Sequence, residues 1–238
     1  MIKTVRIGCI VPAINTAAED DFIALCPPDV GVHFARADVD QARPMAEQFQ
    51  RMVDDAPYLA TTLVKADVKV VGFACTSASF FKGEGSDAVI AERIADRAGV
   101  PAVTTSGAVV EALRSVGARR IAVATPYLEW VFEAEREFLQ AAGFEVTAIN
   151  GMARRGGQDI HTISESEIHD LVADVDSTHA EALFISCTDL PALALIDEIE
   201  AHHGKPVVTS NQATFWGCAK VAGLKPIEGY GRLLRDNL

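Results

Sequence analysis

The chain has 238 residues, 49% of them hydrophobic and 23% charged, the balance of a soluble globular protein large enough for one sizeable domain or two small ones. Its formal net charge of −12 argues against nucleic acid, whose binding rests on Lys and Arg neutralising phosphates. No apolar stretch is long enough to span a bilayer, and the N-terminus enters a strand without a secretory apolar region, which predicts a cytoplasmic protein with no membrane partner.

Along the chain, apolar β-rich runs alternate with helical patterns. Strands are predicted near 4–11, 31–37, 68–75, 101–104, 119–125, 145–149, 182–187 and 206–209. Helices are predicted near 16–25, 41–65, 86–98, 106–116, 128–142, 164–176, 190–203 and 212–222. Glycines and prolines punctuate the joints, at Gly99-Val-Pro101, Gly117, Gly143, Gly204-Lys-Pro206 and Gly223. Strands separated by helices imply βαβ units, parallel sheets and helices on both faces.

Three landmarks recur in the same order in both halves. Arg6-Ile-Gly-Cys-Ile-Val-Pro12 returns as Arg120-Ile-Ala-Val-Ala-Thr-Pro126, an offset of 114. Val70-Val-Gly-Phe-Ala-Cys75-Thr76 returns as Ala182-Leu-Phe-Ile-Ser-Cys187-Thr188, with the cysteines 112 apart. Gly99-Val-Pro-Ala-Val-Thr104 returns as Gly204-Lys-Pro-Val-Val-Thr209, an offset of 105. Three ordered matches indicate a duplication. Residues 1–110 with 213–238 are expected to form a first α/β domain and residues 111–212 a second, with the C-terminal tail returning to the first.

Duplication gives Cys75 and Cys187 equivalent places, so two thiols are expected to face each other across a cleft. That pairing suits proton or thiolate chemistry on the two faces of a small carbon acid, with no cofactor. Each cysteine hands a strand over to a helix, where the helix N-terminus is expected to depress the thiol pKa. Ligands of open α/β sheets bind beyond the C-terminal strand ends. Asn15, Thr76, Ser77, Tyr127 and Thr188 all fall there and could hold a carboxylate or an oxyanion. Thr16 and Glu19 match a capping box, and Asn211 reads as the N-cap of the helix after 206–209. Cys9 and Cys218 read as core packing, and the odd count of five cysteines favours reduced thiols over disulfides. The six histidines show no metal-ligand spacing. Gly83-Glu-Gly85-Ser-Asp-Ala88 stands too far past its strand for a dinucleotide fingerprint, and there is no Walker A sequence.

Taken together, the Ile-Val-Pro12 start, Cys75-Thr-Ser-Ala-Ser-Phe-Phe-Lys-Gly83, Ala124-Thr-Pro-Tyr127, Ser186-Cys-Thr188 and the stretch from Pro206 to Trp216 resemble the Asp/Glu racemase superfamily. Within it, they are most similar to the branch of arylmalonate decarboxylases and maleate cis-trans isomerases. The resemblance implies two pseudo-symmetric flavodoxin-like domains with the active site in the cleft between them, and a homodimer or higher homo-oligomer. It also implies a small carboxylate substrate, catalysis by Cys75 and Cys187, and carboxylate binding by Asn15, Thr76, Ser77, Tyr127 and Thr188. Arylmalonate decarboxylases carry Gly where this chain has Cys75 and keep only the second thiol. Racemases and maleate isomerases of the superfamily use both. The expected activity is therefore maleate isomerisation, with a racemase or a decarboxylase as the alternatives. A small-carboxylate binding protein on the same scaffold is the non-enzymatic alternative.

Overall fold

Each half of the chain builds one four-stranded, all-parallel sheet, as a computed structural model describing residues 3–238 shows. The first half runs β1 (Val5–Pro12), α1 (Ala17–Leu25), β2 (Val30–Ala37), α2 (Met45–Leu63), β3 (Val71–Phe73), α3 (Thr76–Phe80), α4 (Ser86–Ala98) and β4 (Ala102–Thr104). Helix α5 (Thr105–Ser115) leads into β5 (Arg120–Thr125), α6 (Glu129–Ala141), β6 (Glu145–Gly151), α7 (Gln158–His161), α8 (Glu165–Val175), β7 (Ala182–Ile185), α9 (Ile196–His203) and β8 (Val207–Thr209). Helices α10 (Ser210–Ala222) and α11 (Gly231–Asp236) complete the chain. The strand orders are β2-β1-β3-β4 and β6-β5-β7-β8, the same topology twice.

The central strands are apolar on both faces, as parallel strands covered by helices must be. Ile7, Cys9, Ile10 and Val11 in β1 and Ile121, Ala122 and Val123 in β5 are fully buried. The two Gly-x-Pro landmarks close α4 and α9. Gly99 and Gly204 take left-handed C-cap conformations, φ 72° and 71°, which an L side chain would resist.

All eight predicted strands form, with ends that differ in informative ways. The ladder of β3 stops at Phe73 and that of β7 at Ile185, each two residues short of its cysteine. Both thiols therefore sit in the turn beyond the sheet. Helix α2 begins at Met45 because Pro44 takes its N-cap position, and a turn precedes it in which Arg43 N donates to Asp40 O at 3.0 Å. The helix expected after Cys75 is the five-residue α3, none starts after Cys187 until α9, and the short helices α7 and α11 lie outside the predicted set. Helix α10 starts at Ser210, two residues earlier than predicted, and its capping box pairs Thr209 with Gln212, so Asn211 is not its N-cap.

Helix α10 is buried on every side through its first ten residues and packs on α5, α1, β3 and β4, tying the second half to the first. The last helix lies against α9 and β8, with Gly231 N donating to Asp197 and Arg232 N to Glu200. The Tyr230 hydroxyl meanwhile reaches Ala24 O in α1. The tail thus makes contacts with both halves. Among the described residues, no helix is long and apolar enough to cross a membrane.

The strand-end turn of residues 125–127 is laced to the end of β6: Met152 N donates to Thr125 O, Ala153 N to Tyr127 O and Arg154 N to Pro126 O. Gly151 permits that approach, since a Cβ there would lie 2.5 Å from Tyr127 O and 2.6 Å from the Phe132 ring. Gly151→Ala is expected to cost about 1–3 kcal/mol by overpacking. A lowered urea midpoint with an unchanged m-value would register it, and an unchanged midpoint would show that the turn yields freely.

Candidate active site

Cys75 and Cys187 line one cavity of about 90 Å³ beyond the C-terminal edges of the two sheets. That is well below the roughly 300–1,000 Å³ of pockets for drug-sized ligands, so the site suits a small acid. Cys75 occupies the N-cap position of α3 in an extended conformation, φ −144° and ψ 103°, with Sγ 4.0 Å from Ser77 Oγ. Cys187 differs sharply, with φ 105°, a region that costs a non-glycine residue about 1–3 kcal/mol. Its turn is held from several sides. Cys187 N donates to Ser210 Oγ at 3.0 Å, Asp189 N donates to Cys187 Sγ at 3.4 Å, and Asn211 Nδ2 donates to Thr188 O at 3.0 Å.

The five residues expected to bind carboxylate, Asn15, Thr76, Ser77, Tyr127 and Thr188, all line the same cavity. Asn15 Nδ2 donates across the cleft to Thr188 Oγ1 at 3.1 Å, while its Oδ1 accepts from Ala18 N at 2.9 Å. Asn15 thus does the capping expected of Thr16. No Thr16–Glu19 box forms, and Glu19 instead pairs with Arg36 at 2.9 Å. Arg36 also donates to Ala13 O and Asn15 O, which fixes the turn. Thr76 Oγ1 donates to Ser210 Oγ at 2.9 Å, so one serine hydroxyl receives Thr76 from the first half and Cys187 N from the second. The Tyr127 side chain is buried and lines the same cavity as Cys187.

The expected helix start is absent at Cys187, since α9 begins only at Ile196, and at Cys75 burial overrides the effect of the short α3. Loss of solvation pushes Cys75 up to about 11, against smaller lowering contributions from the Ala78 N–H and the Ser77 hydroxyl. Cys187 rises to about 12, through burial first and the nearby Asp189 carboxyl second. Both thiols are therefore neutral at neutral pH, and the expectation of a depressed pKa is corrected. Burial also raises Asp189, which accepts from Thr16 N at 3.0 Å and lies 3.7 Å from His161 Nδ1.

Several lining residues had no sequence signal. Met45, Phe49 and Met52 from α2 face Val131 and Ile160 from the second half, giving the cavity an apolar wall. At spacings of four and three, the α2 residues read in sequence as an ordinary core stripe. Arg154 and Arg155 also reach the lining, but Arg154 is committed to Asp159 at 3.4 Å and Glu167 at 3.1 Å. A basic pair followed by Gly156-Gly157 after a strand was the available clue. Among the described residues, no cluster of three or more His, Cys, Asp or Glu could hold a metal.

The arylmalonate decarboxylase family model matches residues 7–234. The chain belongs to that family. A maleate isomerase of Pseudomonas putida KT2440 is 30% identical to this family member over 98% of both chains. The arylmalonate decarboxylase of Bordetella bronchiseptica is 29% identical, covering 99% of this chain and 98% of its own. Among solved structures, the maleate isomerase Iso from Pseudomonas putida S16, crystallised as a variant with maleate, superposes with a TM-score of 0.92. It is 27% identical over 98% of both chains. The two-sheet architecture is the Asp/Glu racemase fold.

Upward-shifted thiols are expected to alkylate slowly at neutral pH and to keep accelerating above about pH 9.5, where an ordinary thiol of pKa near 8.5 has levelled off. Iodoacetamide labelling of Cys75 and Cys187, mapped by mass spectrometry against pH, reads this directly. A plateau below about pH 9 would mean that burial does not govern the two thiols.

Proposed function

We propose that this protein is a cofactor-independent cis-trans isomerase that converts maleate to fumarate with Cys75 and Cys187. The observation that carries the reading is the convergence of two buried thiols from equivalent strand ends on one small cavity, flanked by Asn15, Ser77, Tyr127 and Thr188. The similarity to maleate isomerases over almost the whole chain supports it.

The reaction needs one thiolate and one thiol. The Cys75 thiolate adds to one alkene carbon, forming a C–S bond while the π pair shifts to the neighbouring carbon. Cys187 delivers its proton there, leaving a thioether of a saturated diacid and a Cys187 thiolate. The central bond, now single, rotates. Cys187 takes the proton back, the C–S pair returns to Cys75, and the trans alkene leaves. Tyr127, whose buried side chain lines the same cavity as Cys187, steadies the thiolate formed midway. Asn15, Thr76, Ser77 and Thr188 hold the carboxylates through side chains and strand-end backbone amides, in place of a dedicated deep cation.

Proton NMR in D2O tests the assignment. Fumarate is expected from maleate with the wild type, none above background with Cys75→Ala, and a loss of about 10²–10⁴-fold in kcat with Cys187→Ala. No fumarate from the folded wild type would sink the reading. Because Cys75 rests protonated, its thiolate fraction grows about tenfold per pH unit below its pKa. The isomerisation rate, kcat/KM, is therefore expected to climb with pH from about 6 to 9. A flat or falling profile over that range would contradict Cys75 as the nucleophile.

The apolar wall of Met45, Phe49, Met52, Val131 and Ile160 favours a second reading, decarboxylation of a malonate bearing an apolar substituent. There Cys187 would protonate the enediolate left by CO2 loss, and Thr76 and Ser77 would hold the remaining carboxylate. Phenylmalonate in the same NMR panel separates the two, since growth of the benzylic proton signal of phenylacetate belongs to the second alone.

A further inference from the structure

Glu135 is a fully buried carboxyl that the reaction above does not use. It lies on α6 one turn beyond Val131, a cavity-lining residue, and so on the helix face turned toward the site. Ser186, the residue before Cys187, donates its hydroxyl to Glu135 Oε1 at 2.5 Å. The other oxygen, Oε2, is buried without a hydrogen-bond partner, and no cation lies within ion-pair distance of this carboxyl among the described residues. Burial pushes its pKa up to about 8, with the Ser186 hydrogen bond opposing, so the group is chiefly a neutral acid at pH 7. A buried, half-satisfied acid with no cation is a costly thing to keep in a core.

What it touches gives the reason. Cys187 sits at φ 105°, and a non-glycine residue stays in that region only when its neighbours over-determine it. In front, Ser210 receives Cys187 N, and Asn211 holds Thr188 O. Behind the turn, the Ser186–Glu135 contact joins the strand end to α6, the helix whose Val131 forms part of the cavity wall. We propose that Glu135 is a positioning residue for Cys187, fixing through Ser186 the turn that presents the sulfur to Tyr127 and the cavity. The proposal rests on the reading of Cys187 as the proton-transferring thiol. Its acceptor oxygen matters and its charge does not, so Gln serves in its place and Leu does not.

The test compares Glu135→Gln, Glu135→Leu, Ser186→Ala and the Leu/Ala double variant. One readout is the ratio of Cys187 to Cys75 alkylation rates by iodoacetamide, and the others are kcat and KM for maleate and the thermal midpoint. Glu135→Gln is expected to match the wild type within about twofold. Glu135→Leu and Ser186→Ala are each expected to shift the alkylation ratio by about fivefold or more and to lower kcat about tenfold, with KM little changed. The double variant is expected to be no worse than either single, because the two residues act as one link. An unchanged alkylation ratio with only a lower melting midpoint would reduce Glu135 to a packing group and overturn the proposal, as would full additivity. Should the Leu variant fail to fold, Ser186→Ala alone decides. Should the wild type leave maleate untouched, the isomerase reading falls while the alkylation ratio still judges Glu135.

Discussion

In a parallel sheet every strand delivers its C-terminal end to the same edge, and the site depends on that constraint twice over. Two sheets of identical strand order set their β3 and β7 ends beside one cavity, so Cys75 and Cys187 converge without any long loop to carry them. Ser210, at the start of α10, takes hydrogen bonds from Thr76 and from Cys187 N. A single hydroxyl therefore sets the spacing of the two strand ends. Asn15 repeats the pattern on the opposite side by reaching Thr188.

Burial works both for and against the chemistry. It removes water, which would quench a carbanion-like centre, and strengthens every hydrogen bond to a developing charge. It also holds both thiols protonated, keeps Glu135 chiefly neutral and pushes the Asp189 carboxyl upward. An acidic chain of net charge −12 can still admit a carboxylate this way, because local amides and hydroxyls, not the overall charge, meet the ligand.

The alternation of strands and helices was legible because buried parallel strands are unbroken apolar runs, and the Cys-Thr pairs and Gly-x-Pro joints dated the duplication. Other features depend on contacts distant in sequence. Helix α3 has only five residues, Thr76–Phe80, too short for a helical period to declare itself. The α2 stripe of Met45, Phe49 and Met52 carries the same pattern whether it faces a core or a cavity. Asn15 and Thr16 are both good caps, and the Thr188 hydroxyl opposite decides which turns inward. At Cys75 a local effect, the helix start, loses to a tertiary one, desolvation, and at Cys187 burial and the Asp189 carboxyl act together; sequence reveals only the local part.

The unequal backbones of the two cysteines carry one more consequence. Duplication alone would produce interchangeable thiols, either able to attack from its own side. Here one sits in relaxed extended geometry and the other in a left-handed turn that its neighbours must enforce. The equivalence of the two halves is therefore broken at the two sulfurs, and a planar ligand meets two distinguishable faces. Two carbons that are equivalent in a symmetric ligand would thereby meet different thiols and become distinguishable on binding.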